Sequence, residues 1–288
     1  MTNRIAQGMS ALVVSCMAMF ACSTPAFGAE SLSFNWISFS AANNARLNAQ
    51  TGWGSPDGNT RELQFEHFGQ NDWGSFYFDL QSTNGKGVGA VPALGDNGSA
   101  VDMYVAAVPT VSLSKLTGKT FTLGRISDVS LIASLQQSSY FHYQAVELGL
   151  NLSIYAPGFL IFDTGILTHN TWWDVSPTFD RNTGRNYRLD KNKWVWRTYM
   201  VSRPIDIGSQ RFNFNLQSYI NTSGNGSQNK HGTEVLLISD YLWNIGSNSD
   251  YQIGLRHIYS THKNSPVVGP GNNTYHSSVP YLLFKYTL

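Results

Sequence analysis

Residues 61–81 of this 288-residue chain read RELQFEHFGQNDWGSFYFDLQ, and they decide the fold class. Apolar Leu63 and Phe65 alternate with polar Gln64 and Glu66, and the alternation resumes after a Gly-Gln-Asn-Asp break. Successive side chains of a β-strand point to opposite faces, so this stretch predicts a hairpin with one apolar and one polar face. Both a soluble sandwich and a membrane barrel with apolar residues toward lipid use such hairpins.

The first 28 residues have the features of a secretory signal peptide. A single basic residue, Arg4, precedes a short apolar core, and a small-x-small motif predicts cleavage after Gly28. The apolar core is too short for a membrane-spanning helix. Lipoprotein processing at Cys16 is the alternative. We therefore expect a signal peptide, residues 1–28, followed by one β-domain, residues 29–288.

The composition of the mature chain excludes several classes of protein. The two cysteines of the full sequence, Cys16 and Cys22, both lie in the predicted signal peptide, so the mature chain is expected to have none, which argues against a small disulfide-stapled secreted domain. Loss of Arg4 leaves 18 basic and 18 acidic side chains, so net charge gives no reason to expect nucleic-acid binding. Charged residues make up 13% and aromatic residues another 13%, and this combination favours a membrane β-barrel over a soluble enzyme.

Alternating segments recur along the whole mature chain, separated by Gly, Pro, Asn and Asp. The connections between them alternate between short and long, with the link after the fifth segment as the exception. This pattern is typical of outer-membrane barrels, which have short periplasmic turns and long outer loops. We predict an all-β fold, a transmembrane antiparallel β-barrel of 12 strands in the outer membrane of a Gram-negative bacterium, with a soluble all-β domain as the alternative. The predicted strands are approximately 32–46, 61–68, 73–81, 101–113, 120–135, 140–152, 159–169, 193–203, 211–221, 234–244, 251–261 and 278–288, with a β-bulge near 124–128.

Two stretches resemble a known family. Residues 62–68, ELQFEHF, and residues 109–117, PTVSLSKLT, resemble the early hairpin and the next strand and turn of the Tsx-like nucleoside-specific channels of Gram-negative outer membranes. The resemblance implies a monomeric, narrow twelve-stranded pore that passes nucleosides through weak sites lined by aromatic and polar residues. Ala106 and Val108 stand where that family tends to carry acidic residues, so the chain departs from it in the lumen.

A pore that binds a nucleoside needs aromatic or apolar surfaces for the base and carboxylates, amides or Arg for the ribose hydroxyls. Polar faces of the predicted strands supply such groups. The alternative is that lumen charges pair with each other and the tyrosines only fill space. The predicted solute contacts are Gln64, Glu66, Tyr77, Asp79, Tyr104 and Arg256.

The lumen face of segment 193–203 stays open at this point. Polarity places Arg197 and Tyr199 inside, whereas alignment with the Tsx-like family places Trp196 and Thr198 there. A cluster of tryptophans near one strand end predicts an aromatic girdle at the membrane interface, with solute binding as the alternative. Its members are Trp172, Trp173, Trp194 and Trp196.

We expect no enzymatic activity, no cofactor and no metal site. Arg256, Ser260 and His262 share one face of a segment, which loosely resembles the His-x-Ser-Asn signature of outer-membrane lipases, but that order is absent. The seven histidines lack the short spacing of metal ligands.

The expected partners are nucleosides or other small polar solutes, together with outer-membrane lipid and lipopolysaccharide. Three arginines of the loop 170–192 either contact lipopolysaccharide phosphates or are solvated: Arg181, Arg185 and Arg188. A pore for acidic oligosaccharides needs rows of Arg and Lys, whereas this chain predicts a mixed lining. A general small-solute porin and a structural or receptor barrel are the alternative functions.

Overall fold

The computed structural model describes residues 32–42, 59–88, 99–139, 144–173, 187–221, 233–246, 250–263 and 274–288. The predicted signal peptide lies outside these ranges and stays a prediction. The described elements are β1 Leu32–Ala42, β2 Thr60–Gln70, β3 Gly74–Val88, β4 Ser99–Ser112, α1 Leu113–Thr117, β5 Ile126–Ser138, β6 Gln144–Ile154, β7 Phe159–Trp173, β8 Tyr187–Ser202, β9 Ile205–Ile207, β10 Gln210–Asn221, β11 Glu234–Ile245, β12 Tyr251–Lys263 and β13 Thr274–Thr287. In the part of the chain that these ranges cover, no helix is both long and apolar enough to cross a membrane.

The strands form one closed antiparallel sheet. Each strand pairs with the next along the chain, and β1 pairs with β13, which closes the ring. The short β9 continues β8 after Arg203 and Pro204, where proline has no N–H to donate to the ladder. The ring therefore has twelve strands, with β9 as an extension of the eighth. The prediction of a 12-stranded antiparallel barrel is confirmed.

Several strands are longer than predicted. β3 continues to Val88, although 82–88 was expected to belong to a loop, and β7 and β8 reach Trp173 and Tyr187. The extra residues of β3, 82–88, read STNGKGV; they are mostly polar and have no apolar alternation. Strand pairing continues there because a barrel wall can rise beyond the lipid, where both of its faces meet water.

The predicted start of the fifth strand at Thr120 is wrong. The chain first forms α1, whose N-cap Ser112 accepts a hydrogen bond from the backbone of Lys115 and whose C-cap Gly118 has a φ of 68°. Gly124 also has a positive φ of 59°, outside the extended range of a regular strand, and β5 begins at Ile126. The pairing register shifts between Ile126 and Asp128, which confirms the predicted bulge.

The short turns lie at one end of the barrel. They join β2 to β3, β4 to β5, β6 to β7, β8 to β10 and β11 to β12, and residues 32 and 288 lie at the same end. There the backbone N–H of Leu288 donates to the carbonyl of Asn35, 2.9 Å away. This end is the periplasmic one, because outer-membrane barrels keep their short turns in the periplasm.

Apolar side chains cover the outside of the wall. Leu63 is 52% exposed, whereas its neighbours Glu62 and Gln64 are buried inside the barrel. A continuous exposed apolar band is far larger than soluble monomers carry, so the band faces lipid. The protein is an outer-membrane β-barrel. Other outward side chains are Leu131, Leu135, Leu148, Leu150, Ile166, Trp196, Trp243, Leu255, Leu282 and Phe284.

Candidate functional site

The lumen face follows from the strand period and the register. Gln64 lies opposite Ser38 on β1 and Gln81 on β3, and residues opposite each other in antiparallel strands share a face. Applied from one strand pair to the next, the same rule identifies the inward-facing residues of every strand. It places all six predicted solute contacts on the lumen side of the wall: Gln64, Glu66, Tyr77, Asp79, Tyr104 and Arg256.

Arg256 is the centre of one lumen network. Its Nε donates to Asp240 Oδ1 at 2.8 Å and its Nη2 to Asp240 Oδ2 at 3.0 Å, a bidentate pair across β11 and β12. Its Nη1 donates to Gln64 Oε1 at 2.6 Å, on β2. Gln64 Nε2 in turn donates to Asp79 Oδ1 at 3.0 Å, on β3. Three of the predicted residues thus join four strands through direct hydrogen bonds.

Glu66 is the centre of a second network, nearer the periplasm. One carboxylate oxygen, Oε2, lies 3.4 Å from Lys285 Nζ on β13, and the other, Oε1, accepts the hydroxyl of Tyr77 at 2.9 Å. The ammonium of Lys285 also lies 4.4 Å from the ring centroid of Trp36 on β1, a cation–π contact. The carboxylate, the ammonium and two aromatic rings form one group on the wall.

Tyr77 reaches across the lumen. Its ring centroid lies 5.3 Å from that of Tyr199 on β8, and its hydroxyl accepts a hydrogen bond of 3.3 Å from Gln217 Nε2 on β10. Neither β8 nor β10 neighbours β3 in the sheet. Side chains from opposite walls therefore meet at this level, and we call Tyr77, Tyr199 and Gln217 the constriction.

Arg197 extends the constriction on the far wall. Its Nη2 donates to the Tyr219 hydroxyl at 3.0 Å, and its guanidinium carbon lies 4.8 Å from the Tyr219 ring centroid. Glu147 Oε2 accepts from Arg197 Nη1 at 3.4 Å, while Glu147 Oε1 lies 2.7 Å from His169 Nδ1. These contacts fix the guanidinium beside the two tyrosines, Tyr199 and Tyr219.

A small cavity lies beside the constriction. It measures about 50 Å³ and is lined in part by Tyr77, Asp163, Arg197, Tyr199 and Tyr219. This space holds a few water molecules.

The structure settles the lumen face of the eighth strand. Arg197 and Tyr199 point inward, as polarity predicts, and Trp196 points outward with about half of its surface exposed. The alternative from alignment with the Tsx-like family is therefore wrong for Trp196 and Thr198. Trp194 and Trp196 lie on the lipid-facing surface; the side chains of Trp172 and Trp173 lie outside the described residues.

Tyr104 lies apart from the two networks. Its hydroxyl donates to Gln136 Oε1 at 3.2 Å, on the wall formed by β4 and β5. Next to it on the same face stand Ala106 and Val108, both buried. The neighbouring strand β4 therefore presents small apolar side chains beside Asp79 and Tyr77, as the departure from the family pattern predicts.

Sequence reasoning missed several lumen residues. Asp240 alternates with inward apolar Ile238 and Leu242, so its strand carries no polar face that would single it out. Lys285 follows lipid-facing Phe284, so the alternation along β13 assigns Lys285 to the lumen face. It does not reveal that Glu66 is the partner of Lys285. Gln217 and Tyr219 had no distinguishing signal except alternation within β10.

The structure describes the side chains of two of the three residues that suggested a hydrolase. The Arg256 guanidinium is held by Asp240 and Gln64, and Ser260 is buried on the lumen face. The side chain of His262 lies outside the described residues. The side chains of the three loop arginines, Arg181, Arg185 and Arg188, do so as well.

Comparison with known proteins gives structural likeness without sequence similarity. No family model matches the chain, and no curated protein matches it. A structure of the NanC porin has 11% identity, covers 88% of this chain and 99% of its own, and gives a TM-score of 0.47. The KdgM porin in complex with disordered oligogalacturonate has 6% identity, covers 89% of this chain and 99% of its own, and gives a TM-score of 0.37. OccAB3 of Acinetobacter baumannii has 10% identity, covers 89% and 99%, and gives 0.29. The resemblance to Tsx-like channels stays a prediction.

Proposed function

We propose that this barrel is a passive channel for small polar solutes and that it prefers nucleosides. The closed wall, apolar outside and polar inside, supports a channel, because water and solutes meet polar groups along the lumen. The nucleoside preference rests on the resemblance of residues 62–68 and 109–117 to the Tsx-like family and on the chemistry of the constriction.

The observation that carries the preference is the pairing of aromatic rings with hydrogen-bonding groups at one level of the lumen. The rings of Tyr77 and Tyr199 present flat faces on which a base can stack. Glu66 and Gln217, both within hydrogen-bond distance of the Tyr77 hydroxyl, present the acceptor and amide groups that bind ribose hydroxyls. These contacts are replaced one for one when a nucleoside enters, so binding stays weak enough for release.

Solute flux tests the proposal. The refolded mature protein, residues 29–288, is placed in liposomes, and uptake of labelled adenosine or thymidine is compared with that of arabinose and glycine. We expect nucleoside flux well above the flux of both controls. Equal flux for all four solutes would reduce the protein to a general porin, and no flux would move the assignment to a structural or receptor barrel.

Variants of the constriction locate the preference. Tyr77→Ala removes one ring and widens the lumen, so we expect arabinose flux to rise and the nucleoside-to-arabinose ratio to fall. Tyr77→Phe keeps the ring and loses only the hydroxyl bonds to Glu66 and Gln217, so its ratio should fall less. Tyr241→Ala is the matched control, because Tyr241 is an aromatic residue on the lipid face, 56% exposed. An unchanged nucleoside-to-arabinose flux ratio in Tyr77→Ala would show that nucleosides do not bind at the constriction.

Hydrolysis of a lipid acyl ester is a second candidate function, favoured by one contact. His257 Nε2 lies 2.9 Å from Ser278 Oγ on the outer face of β12 and β13, and an activated serine needs such a base. An oxyanion hole also needs free N–H donors, whereas the backbone here is engaged in the β12–β13 ladder. Release of fatty acid from phospholipid or lipopolysaccharide vesicles, abolished by Ser278→Ala, would establish this activity; its absence would leave the pair as a structural hydrogen bond.

A further inference from the structure

The charged groups of the lumen are unbalanced. Within the described ranges the register places four Lys or Arg residues on the lumen face, namely Lys193, Arg197, Arg256 and Lys285. Carboxylates are more than twice as many on the same face: Glu62, Glu66, Asp79, Asp102, Asp128, Glu147, Asp163, Glu234 and Asp240.

Three of these cations form ion pairs within the lumen. Arg256 pairs with Asp240, Lys285 with Glu66, and Arg197 with Glu147. Each of these ion pairs neutralises one carboxylate. Two other lumen carboxylates accept from neutral donors: Asp79 accepts from Gln64, and Asp128 accepts from Ser114 and Ser130.

Glu62 gives a second and independent observation. Its side chain is 1% exposed and points into the lumen beside Ser40, which donates to Oε2 at 3.0 Å. The other oxygen, Oε1, has no hydrogen-bond partner among the described residues. A buried carboxylate oxygen without a donor is costly, and a cation or a protonated amine in the lumen supplies what it lacks.

The excess carboxylates are distributed along the whole lumen. Glu62 lies near the outer end of β2, Asp79 lies at the middle of β3, and Asp163 lies close to the periplasmic turn that precedes β7. A permeating ion therefore meets carboxyl groups at every level. Low-dielectric walls around such groups concentrate the field and raise the local concentration of cations.

We propose that the lumen selects for cations, so that inorganic monovalent cations and small protonated amines pass in preference to anions of the same size. This inference rests on the proposed channel function, since it concerns the solutes that enter the same lumen. It assigns the selectivity to two lumen carboxyl groups, those of Glu62 and Asp163.

Reversal potentials test the proposal. The refolded mature protein is inserted into planar bilayers that separate two KCl concentrations, and the potential at zero current gives the K⁺-to-Cl⁻ permeability ratio. We expect a ratio above one. The double variant Glu62→Gln, Asp163→Asn removes two charges with little change of shape, and its ratio should fall by half or more. Asp72→Asn, in the exposed turn before β3, is the matched control and should keep the wild-type ratio.

A second measurement uses organic solutes. Uptake of labelled lysine into liposomes should exceed that of glutamate, and the double variant should bring the two closer together. Heat-dependent migration on gels confirms that each variant is folded before its flux is measured.

The outcomes separate this inference from the channel function. A barrel that conducts with a permeability ratio of one or less overturns the cation preference and leaves the channel intact. A preference that survives in the double variant overturns its assignment to Glu62 and Asp163. A folded barrel that passes neither ions nor nucleosides overturns the channel and the cation preference together.

Discussion

Arg256 connects three strands of the barrel, its own β12, β11 and β2, through hydrogen bonds inside the lumen. Its guanidinium makes a bidentate bond with Asp240 and a third bond with Gln64, and both charged side chains are almost fully buried. Burial makes such a pair expensive to break, because loss of one partner leaves the other charge desolvated and alone. The bidentate fork also fixes where the amide of Gln64, and through it Asp79, can lie.

Replacement of Arg256 by Met should therefore lower the free energy of unfolding by about 3–5 kcal/mol. The double variant Arg256→Met, Asp240→Leu should recover much of that loss, since two apolar side chains can pack where the ion pair stood. Equilibrium urea unfolding in phospholipid vesicles, followed by tryptophan fluorescence, measures both changes. Arg211→Gln is the control, because its ion pair with Asp206 is exposed between β9 and β10, and we expect no measurable change.

The face of each lumen residue could be predicted from sequence, but most of its partners could not. A two-residue period assigns Gln64, Glu66, Tyr77 and Asp79 to one face of a hairpin as soon as its turn is recognised. The bond from Arg256 to Gln64 joins strands that are not neighbours in the sheet. Such contacts depend on the tilt and stagger with which the barrel closes, and those are properties of the whole ring.

At the scale of the element, β6 and β7 approach each other closely at Gly149. A Cβ added at this residue would lie 2.0 Å from the carbonyl oxygen of Ile166 and 2.6 Å from the Cα of Leu167. No rotation of a side chain relieves a clash with backbone. Only glycine fits this position of the ladder.

Gly149→Ala should therefore push the two strands apart and lower the free energy of unfolding by about 1–3 kcal/mol, the usual cost of overpacking. Urea unfolding and the yield of refolded barrel measure the effect. Leu148→Ala, at the adjacent residue on the lipid face, changes a side chain without adding an atom to the ladder and should be milder. Wild-type stability in Gly149→Ala would contradict the close approach of β6 and β7.

Element boundaries were predicted well where apolar and polar residues alternate, and poorly beyond the lipid. β2, β10, β11 and β12 begin within one residue of their predicted starts. The predicted end of β3 at Gln81 is seven residues short, because the lipid requires alternation only within its own thickness. Before β5, Gly118 and Gly124 have positive φ angles, and the strand begins only after them. The sequence alone does not distinguish these glycines from glycines of a β-bulge.

At the scale of the whole molecule, the barrel reverses the arrangement of a soluble protein. Its charged side chains meet inside, and Leu, Ile, Phe and Trp cover the outside. The membrane replaces the hydrophobic core, so the wall needs only strand pairing and lumen contacts to hold its shape. This reversal explains how a chain with only 13% charged residues can line a polar lumen: its few charges are concentrated on one face.

The fluorescence of Trp243 and Trp36 can test this reversed arrangement. Trp243 is 48% exposed on the outer wall, whereas Trp36 is 6% exposed and lies in the lumen beneath Lys285. Brominated lipids quench fluorescence on contact, so Trp243→Phe should remove a strongly quenched component in vesicles, and Trp36→Phe should remove one that such lipids leave bright. The same two variants in vesicles without bromine give the unquenched emission of each residue. If Trp36 proved to be the quenched residue, the assigned inside and outside of the wall would be exchanged, and with them every lumen contact on which the proposed selectivity depends.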